Sequence, residues 1–74
     1  MITKWHNMLG QAKDYPKDSK YVIIQTVSNE FAATIFRFAS KTFHLTVNVG
    51  NLPMGPYFEN MVMCWKYINE DDEI

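Results

Sequence analysis

The sequence predicts a mainly β fold, a small antiparallel meander of four to five strands with room for one short helix. Apolar residues alternate strictly with polar ones from Phe43 to Val49, a period that a half-buried strand requires and a helix cannot use. Residues 21–27 are rich in the β-branched and aromatic residues that strands favour. Residues 61–68 again carry large apolar side chains at alternate positions.

The first half of the chain reads as one loop and one hairpin. Residues 2–9 suit a short strand or a turn of helix, and residues 10–20 predict an exposed loop that contains Gly10 and Pro16. The continuous apolar centre of residues 21–27 predicts a central strand covered on both faces. The polar break at residues 28–30 predicts a hairpin turn in which Asn29 adopts a positive φ.

The assignment of residues 28–38 stays open between strand and helix. Alternation favours a strand from Phe31 to Phe38, whereas the two alanines after Phe31 have reasonable helical propensity. A helix there gives an α+β fold as the alternative. Residues 50–60 predict a long loop before the last strand, on which Met61, Met63, Trp65 and Tyr67 share one face. Because both faces of the sheet carry large apolar residues, we expect it to be curled, or covered by the N-terminal segment or by another subunit.

Composition predicts one small domain over residues 1–68 and an acidic, solvated tail over residues 69–74. Seventy-four residues leave no room for a second core. The net charge is −1, which makes a nucleic-acid partner an unfavoured reading because such binders usually carry a clustered basic surface. No run approaches the ~20 apolar residues of a membrane span. Cys64 is the only cysteine, so no internal disulfide forms and a cytoplasmic location is expected.

The sequence points to no catalytic residue, no metal site and no cofactor. Only His6, His44 and Cys64 offer nitrogen or sulfur ligands, fewer than the four that a structural zinc site needs. An enzyme that uses Cys64 with His44, placed on adjacent strands, is the least favoured reading. A cysteine in an apolar strand is more often a small buried hydrophobe.

Two sets of residues are candidates for binding. The first is a partner-binding surface in the long loop and just after it, since aromatic residues and methionine are enriched at interfaces; its residues are Leu52, Met54, Tyr57, Phe58 and Met61. The competing reading is that these residues fold back to cover one end of the sheet. The second set serves an oligomeric protein that binds a nucleotide between subunits, with Arg37 and Lys41 for the anion and Tyr57 and Trp65 for the base.

The order of landmarks resembles a family of small phage and prophage proteins of unknown function. The matching features are an early Trp5, Pro16 in a polar loop, the Val-rich strand of residues 21–26, Phe43 and the closing Val62-Met63-Cys64-Trp65 segment. The family offers no established catalytic residue. The resemblance implies a cytoplasmic protein in a bacterial host that binds and inhibits a host protein, such as a component of a defence system.

Overall fold

The computed structural model describes residues 3–46 and 56–73. These residues form one antiparallel sheet whose strands are β1 (His6–Asn7), β2 (Tyr21–Thr26), β3 (Phe31–Arg37), β4 (Thr42–Leu45), β5 (Tyr57–Phe58) and β6 (Val62–Tyr67). Short 3-10 helices at Glu59–Met61 and Glu70–Glu73 precede and follow β6. The predicted mainly β class is confirmed. The sheet has six strands where four to five were predicted. Two of them, β1 and β5, hold only two residues each. No helix within the described residues is long and apolar enough to cross a membrane.

The strand order, β1-β6-β2-β3-β4-β5, departs from a simple meander. Strands β2 to β5 do follow one another, but β6 returns to lie between β1 and β2. The expectation that neighbours in sequence are neighbours in space therefore fails for the last strand. β2 is central, as its apolar run predicts: Val22 and Ile24 are buried on one face, whereas Ile23 on the other face is only half-buried.

The β2–β3 hairpin forms as the sequence predicts. Asn29 has φ 68°, its amide donates to the Thr26 carbonyl at 2.9 Å, and the Thr26 amide donates to the Glu30 carbonyl at 2.8 Å. The helical alternative for residues 28–38 is wrong, since β3 pairs with both β2 and β4. Pairing on both sides outweighs the weak helical propensity of two alanines. In β4, Phe43 is buried as predicted; Val47 and Val49 lie outside the described residues.

The core occupies one face of the sheet. Its fully buried or nearly buried apolar side chains are Met8, Val22, Ile24, Phe36, Phe43, Val62, Trp65 and Tyr67. The buried Thr34 hydroxyl donates to the Val22 carbonyl at 3.1 Å, which satisfies a polar group in an apolar setting. Tyr15 packs against this core and Pro16 is buried, so part of the predicted exposed loop covers the sheet instead.

The predicted faces of the last strand are wrong because β6 contains a bulge. Gln25 pairs with Cys64 but Thr26 pairs with Val62, so Met63 is an extra residue on β6. An extra residue reverses the alternation beyond it. Val62 therefore joins Trp65 on the core face, and Met61 is exposed rather than aligned with Trp65.

The opposite side of the sheet, called the outer face below, carries nine residues in three rows across β6, β2, β3 and β4. The rows are Tyr21, Ile35 and His44; Lys66, Ile23 and Ala33; and Cys64, Gln25 and Phe31. Tyr21, Ala33 and Phe31 are exposed and the other six are half-buried. Trp5 leans over this face: its ring lies 6.2 Å from that of Phe31, and the Lys66 Nζ is 5.0 Å from its centroid.

Candidate functional site

A shallow groove lies between the tip of the β2–β3 hairpin and the segment that joins β5 to β6. It encloses about 150 Å³. Its lining residues are Thr26, Val27, Ser28, Glu30, Tyr57 and Met61; it is called the hairpin-end groove below. Val27 and Met61 are the most accessible apolar side chains of this lining, 57% and 39% exposed. The groove therefore offers apolar surface next to the hydroxyl and carboxylate groups of the turn.

Backbone and side-chain hydrogen bonds fix both walls of this groove. The Val27 amide donates to the Met61 carbonyl at 2.9 Å, which ties the hairpin tip to the 3-10 helix. The Tyr15 hydroxyl donates to Glu59 Oε2 at 2.8 Å, which ties that helix to the loop over the core. The hydrogen bond to the Glu59 carboxylate raises the pKa of Tyr15. Ionising the phenol would break this bond and would place a negative phenolate beside the negative carboxylate. Hydrogen bonds thus hold both the hairpin tip and the 3-10 helix that form the walls of the groove.

The structure brings part of the predicted partner-binding set to this groove. Tyr57 and Met61 line it, and the adjacent Phe58 is exposed. Leu52 and Met54 lie outside the described residues. The competing reading holds for Tyr57, which packs against the core, but not for Phe58 and Met61. Sequence reasoning missed Val27: the bulge ends the regular β2–β6 pairing at Thr26, a non-local event with no signal in residues 21–27.

The alternative ligand-binding set does not come together in an open site. Trp65 is 1% exposed, and its indole nitrogen donates to the Asp14 carbonyl at 2.6 Å, so it is not available to stack on a base. The Lys41 Nζ lies 3.6 Å from the centroid of the Phe38 ring, and Arg37 donates to the Ser19 hydroxyl at 3.1 Å. Tyr57 belongs to β5, which pairs with β4 and is separated from Trp65 on β6 by the strands β2, β3 and β4.

The proposed pairing of Cys64 with His44 is wrong. Cys64 is on β6 and His44 on β4, and β2 and β3 lie between them, so at ~4.8 Å per strand the two are more than about 14 Å apart. The Cys64 thiol donates to Gln25 Oε1 at 3.3 Å, and His44 Nε2 lies 2.8 Å from the Thr42 hydroxyl. Burial raises the pKa of the Cys64 thiol, which disfavours the thiolate that nucleophilic chemistry needs.

His6 has partners that the sequence did not reveal. Its Nδ1 lies 2.6 Å from Asp14 Oδ2 and its Nε2 lies 2.8 Å from Glu73 Oε2. The ring is 11% exposed and stacks on Trp65, with centroids 4.3 Å apart. Each ring nitrogen therefore lies at hydrogen-bonding distance from a carboxylate oxygen. The two carboxylates also lie on opposite sides of the ring, so one metal ion does not reach all three groups.

The acidic segment at residues 70–73 is more than the solvated tail predicted from composition. Glu73 accepts from the Lys4 amide at 3.1 Å as well as facing His6, and Asp72 lies 3.3 Å from the Lys20 Nζ. The Lys4 amide is the largest cause, followed by His6, that holds the pKa of Glu73 below its usual value. The segment is therefore fastened to the N-terminal part of the domain.

Within residues 3–46 and 56–73, no group of three or more His, Cys, Asp or Glu side chains is placed to hold a metal ion. Comparison with known proteins adds no assignment: no family model, no curated protein and no solved structure matches this chain.

Proposed function

We propose that this chain is a non-catalytic binding protein that recognises another protein at the hairpin-end groove and inhibits it. The size of the groove carries this proposal. A volume of about 150 Å³ is that of a cavity which holds one benzene-sized group. Small-molecule sites usually enclose roughly 300–1,000 Å³. The groove therefore suits a single anchoring side chain of a protein partner better than a whole nucleotide.

The residues around the groove support recognition of a protein. Val27, Phe58 and Met61 expose apolar surface, and methionine adapts its shape to different partners. Binding energy at protein interfaces concentrates in a few residues that fill pockets. The hydrogen bonds from Val27 to Met61 and from Tyr15 to Glu59 keep the walls ordered before binding, which reduces the entropy lost on association.

The resemblance to small phage proteins favours a host protein as the target, with the bacterial cytoplasm as the location and a defence component as the kind of target. The bound domain then inhibits its target sterically: it covers a surface or a cleft that the target needs, and it catalyses no reaction itself.

The test is capture from bacterial lysate by the immobilised protein, with cross-linking and mass spectrometry, followed by assay of the captured protein. Val27→Asp and Met61→Asp place a charge in the groove and are expected to abolish capture. Leu9→Asp is the matched control, because Leu9 is an exposed apolar residue outside the groove lining. Capture that survives both groove variants, or a captured protein whose activity is unchanged by this chain, contradicts the proposal.

A further inference from the structure

We propose that the outer face packs against the same face of a second copy of this chain, giving a symmetric dimer with its two sheets face to face. This surface is separate from the hairpin-end groove, so the inference does not depend on the proposed function. It rests on the apolar character of the face, its area, its charge and its shape.

The outer face exposes three large aromatic side chains to solvent. Phe31 is 63% exposed, and Tyr21 and Trp5 are also exposed. The contact between the Trp5 and Phe31 rings covers only part of each. Contiguous apolar surface of this kind, rimmed by polar residues, marks an interaction site. A domain of this length also buries a small fraction of its surface on folding and gains stability by self-association.

The area of the face meets what a dimer needs. Nine residues, on strands about 4.8 Å apart and in rows about 6.7 Å apart, give roughly 290 Å² in projection, and Trp5 extends this surface. The accessible area is larger because the side chains project from the sheet. Two copies together then cover on the order of 1,000 Å², the lower limit for a specific interface. We therefore expect a weak dimer that depends on concentration.

The charge of the face favours a second copy over a nucleic acid. Among its nine residues and Trp5, the one formal charge at neutral pH is that of Lys66, which lies against the Trp5 ring. The exposed aromatic rings could stack on bases, but one lysine leaves the phosphates of a strand without counter-charges. In a symmetric pair whose axis runs across the strands between Phe31 and Ala33, the two Lys66 side chains lie on opposite sides of the axis and do not meet.

The shape of the face is self-complementary. On the outer face of β3, the small residue Ala33 lies between Phe31 and Ile35. It pairs with Ile23 on the neighbouring strand β2. Large and small residues that alternate across facing surfaces allow the surfaces to interdigitate. The Phe31 ring of one copy then fits above Ala33 of the other.

The test is sedimentation velocity of the purified chain from about 1 µM to about 1 mM, a range that spans weak association. The wild type is expected to shift from monomer to dimer, and Phe31→Lys to weaken the dimer at least about tenfold by burying an unpaired charge. Leu9→Lys, on an exposed residue outside this face, is the control and should dimerise as the wild type does. Circular dichroism verifies that the variants fold.

Three outcomes overturn the inference: a wild type that stays monomeric at the highest concentration, a Phe31→Lys variant that dimerises as tightly as the wild type, or a monomer that binds a labelled single-stranded oligonucleotide through Phe31. Val27→Asp should leave the dimer intact. Failure of the dimer and failure of groove binding are therefore separate results.

Discussion

His6 Nε2 and Glu73 Oε2 lie 2.8 Å apart, although 67 positions of sequence separate the two residues. The other ring nitrogen of His6 contacts Asp14, and the ring itself lies flat on Trp65. The His6 side chain therefore joins β1 to the loop over the core, to the strand β6 and to the 3-10 helix that follows β6. The stability of this corner of the domain therefore depends in part on the Glu73 carboxylate, whose pKa these contacts lower.

Glu73→Gln is expected to reduce the loss of stability in acid. The Lys4 amide and His6 hold the pKa of Glu73 below its usual value. A group whose pKa is lower in the folded state contributes stability above its unfolded pKa and loses it as the pH falls through the folded pKa. In urea denaturation, the free energy of unfolding of the wild type should fall as the pH drops below about 4.5. Glu73→Gln should be less stable than the wild type at pH 7, and its free energy of unfolding should depend less on pH below about 4.5.

Asp71→Asn is the matched control, because Asp71 occupies the same 3-10 helix and is exposed. It removes the same charge without touching the His6 contact, so its stability profile should follow that of the wild type. Equal acid profiles for Glu73→Gln and the wild type would show that the Glu73 carboxylate does not secure the helix.

His6→Ala is expected to cost about 1–2 kcal/mol of unfolding free energy, from the lost ring stack and the lost hydrogen bonds. His6→Phe keeps a ring over Trp65 but no donor, and should therefore fall between the wild type and His6→Ala. Urea denaturation followed by tryptophan fluorescence measures all three proteins. If His6→Phe is no better than His6→Ala, the stack on Trp65 contributes nothing.

Cys64 should react slowly with thiol reagents in the folded protein. Burial raises the pKa of its thiol, so less thiolate is present at neutral pH, and the thiolate is the reactive form. The rate of labelling by a disulfide reagent should rise several-fold when the same chain is unfolded in urea. A folded protein that reacts as fast as the unfolded chain would return Cys64 to consideration as a nucleophile.

The sequence predicted those features that depend on neighbouring residues. The hairpin turn followed from the polar residues 28–30, because the αL conformation of Asn29 is a local preference. The central position of β2 followed from its apolar run, of which Val22 and Ile24 are buried against the core. The burial of Phe43 followed from strict alternation. Each rests on propensities that act over a few residues.

Features that depend on distant partners were not predictable. The return of β6 between β1 and β2 depends on how Trp65 and Tyr67 pack, and no local pattern records that choice. The bulge beside Thr26 moved Val62 to the core face and left Met61 exposed. His6 meets Asp14 and Glu73 across 8 and 67 positions. For the candidate site, this meant that Tyr57 and Met61 were found but Val27 was not.

The turn at Asn29 permits a direct test of backbone conformation in the β2–β3 hairpin. Asn29 has φ 68°, a region that glycine occupies freely and that costs a residue with a Cβ roughly 1–2 kcal/mol. Asn29→Gly and Asn29→Ala both remove the bond from Gln25 Nε2 to Asn29 Oδ1, so their difference isolates the backbone. We expect Asn29→Ala to be less stable than Asn29→Gly by about 1 kcal/mol in urea unfolding. Equal stability would mean that the turn changes conformation when alanine replaces Asn29, and the hairpin-end groove beside it would then change shape as well.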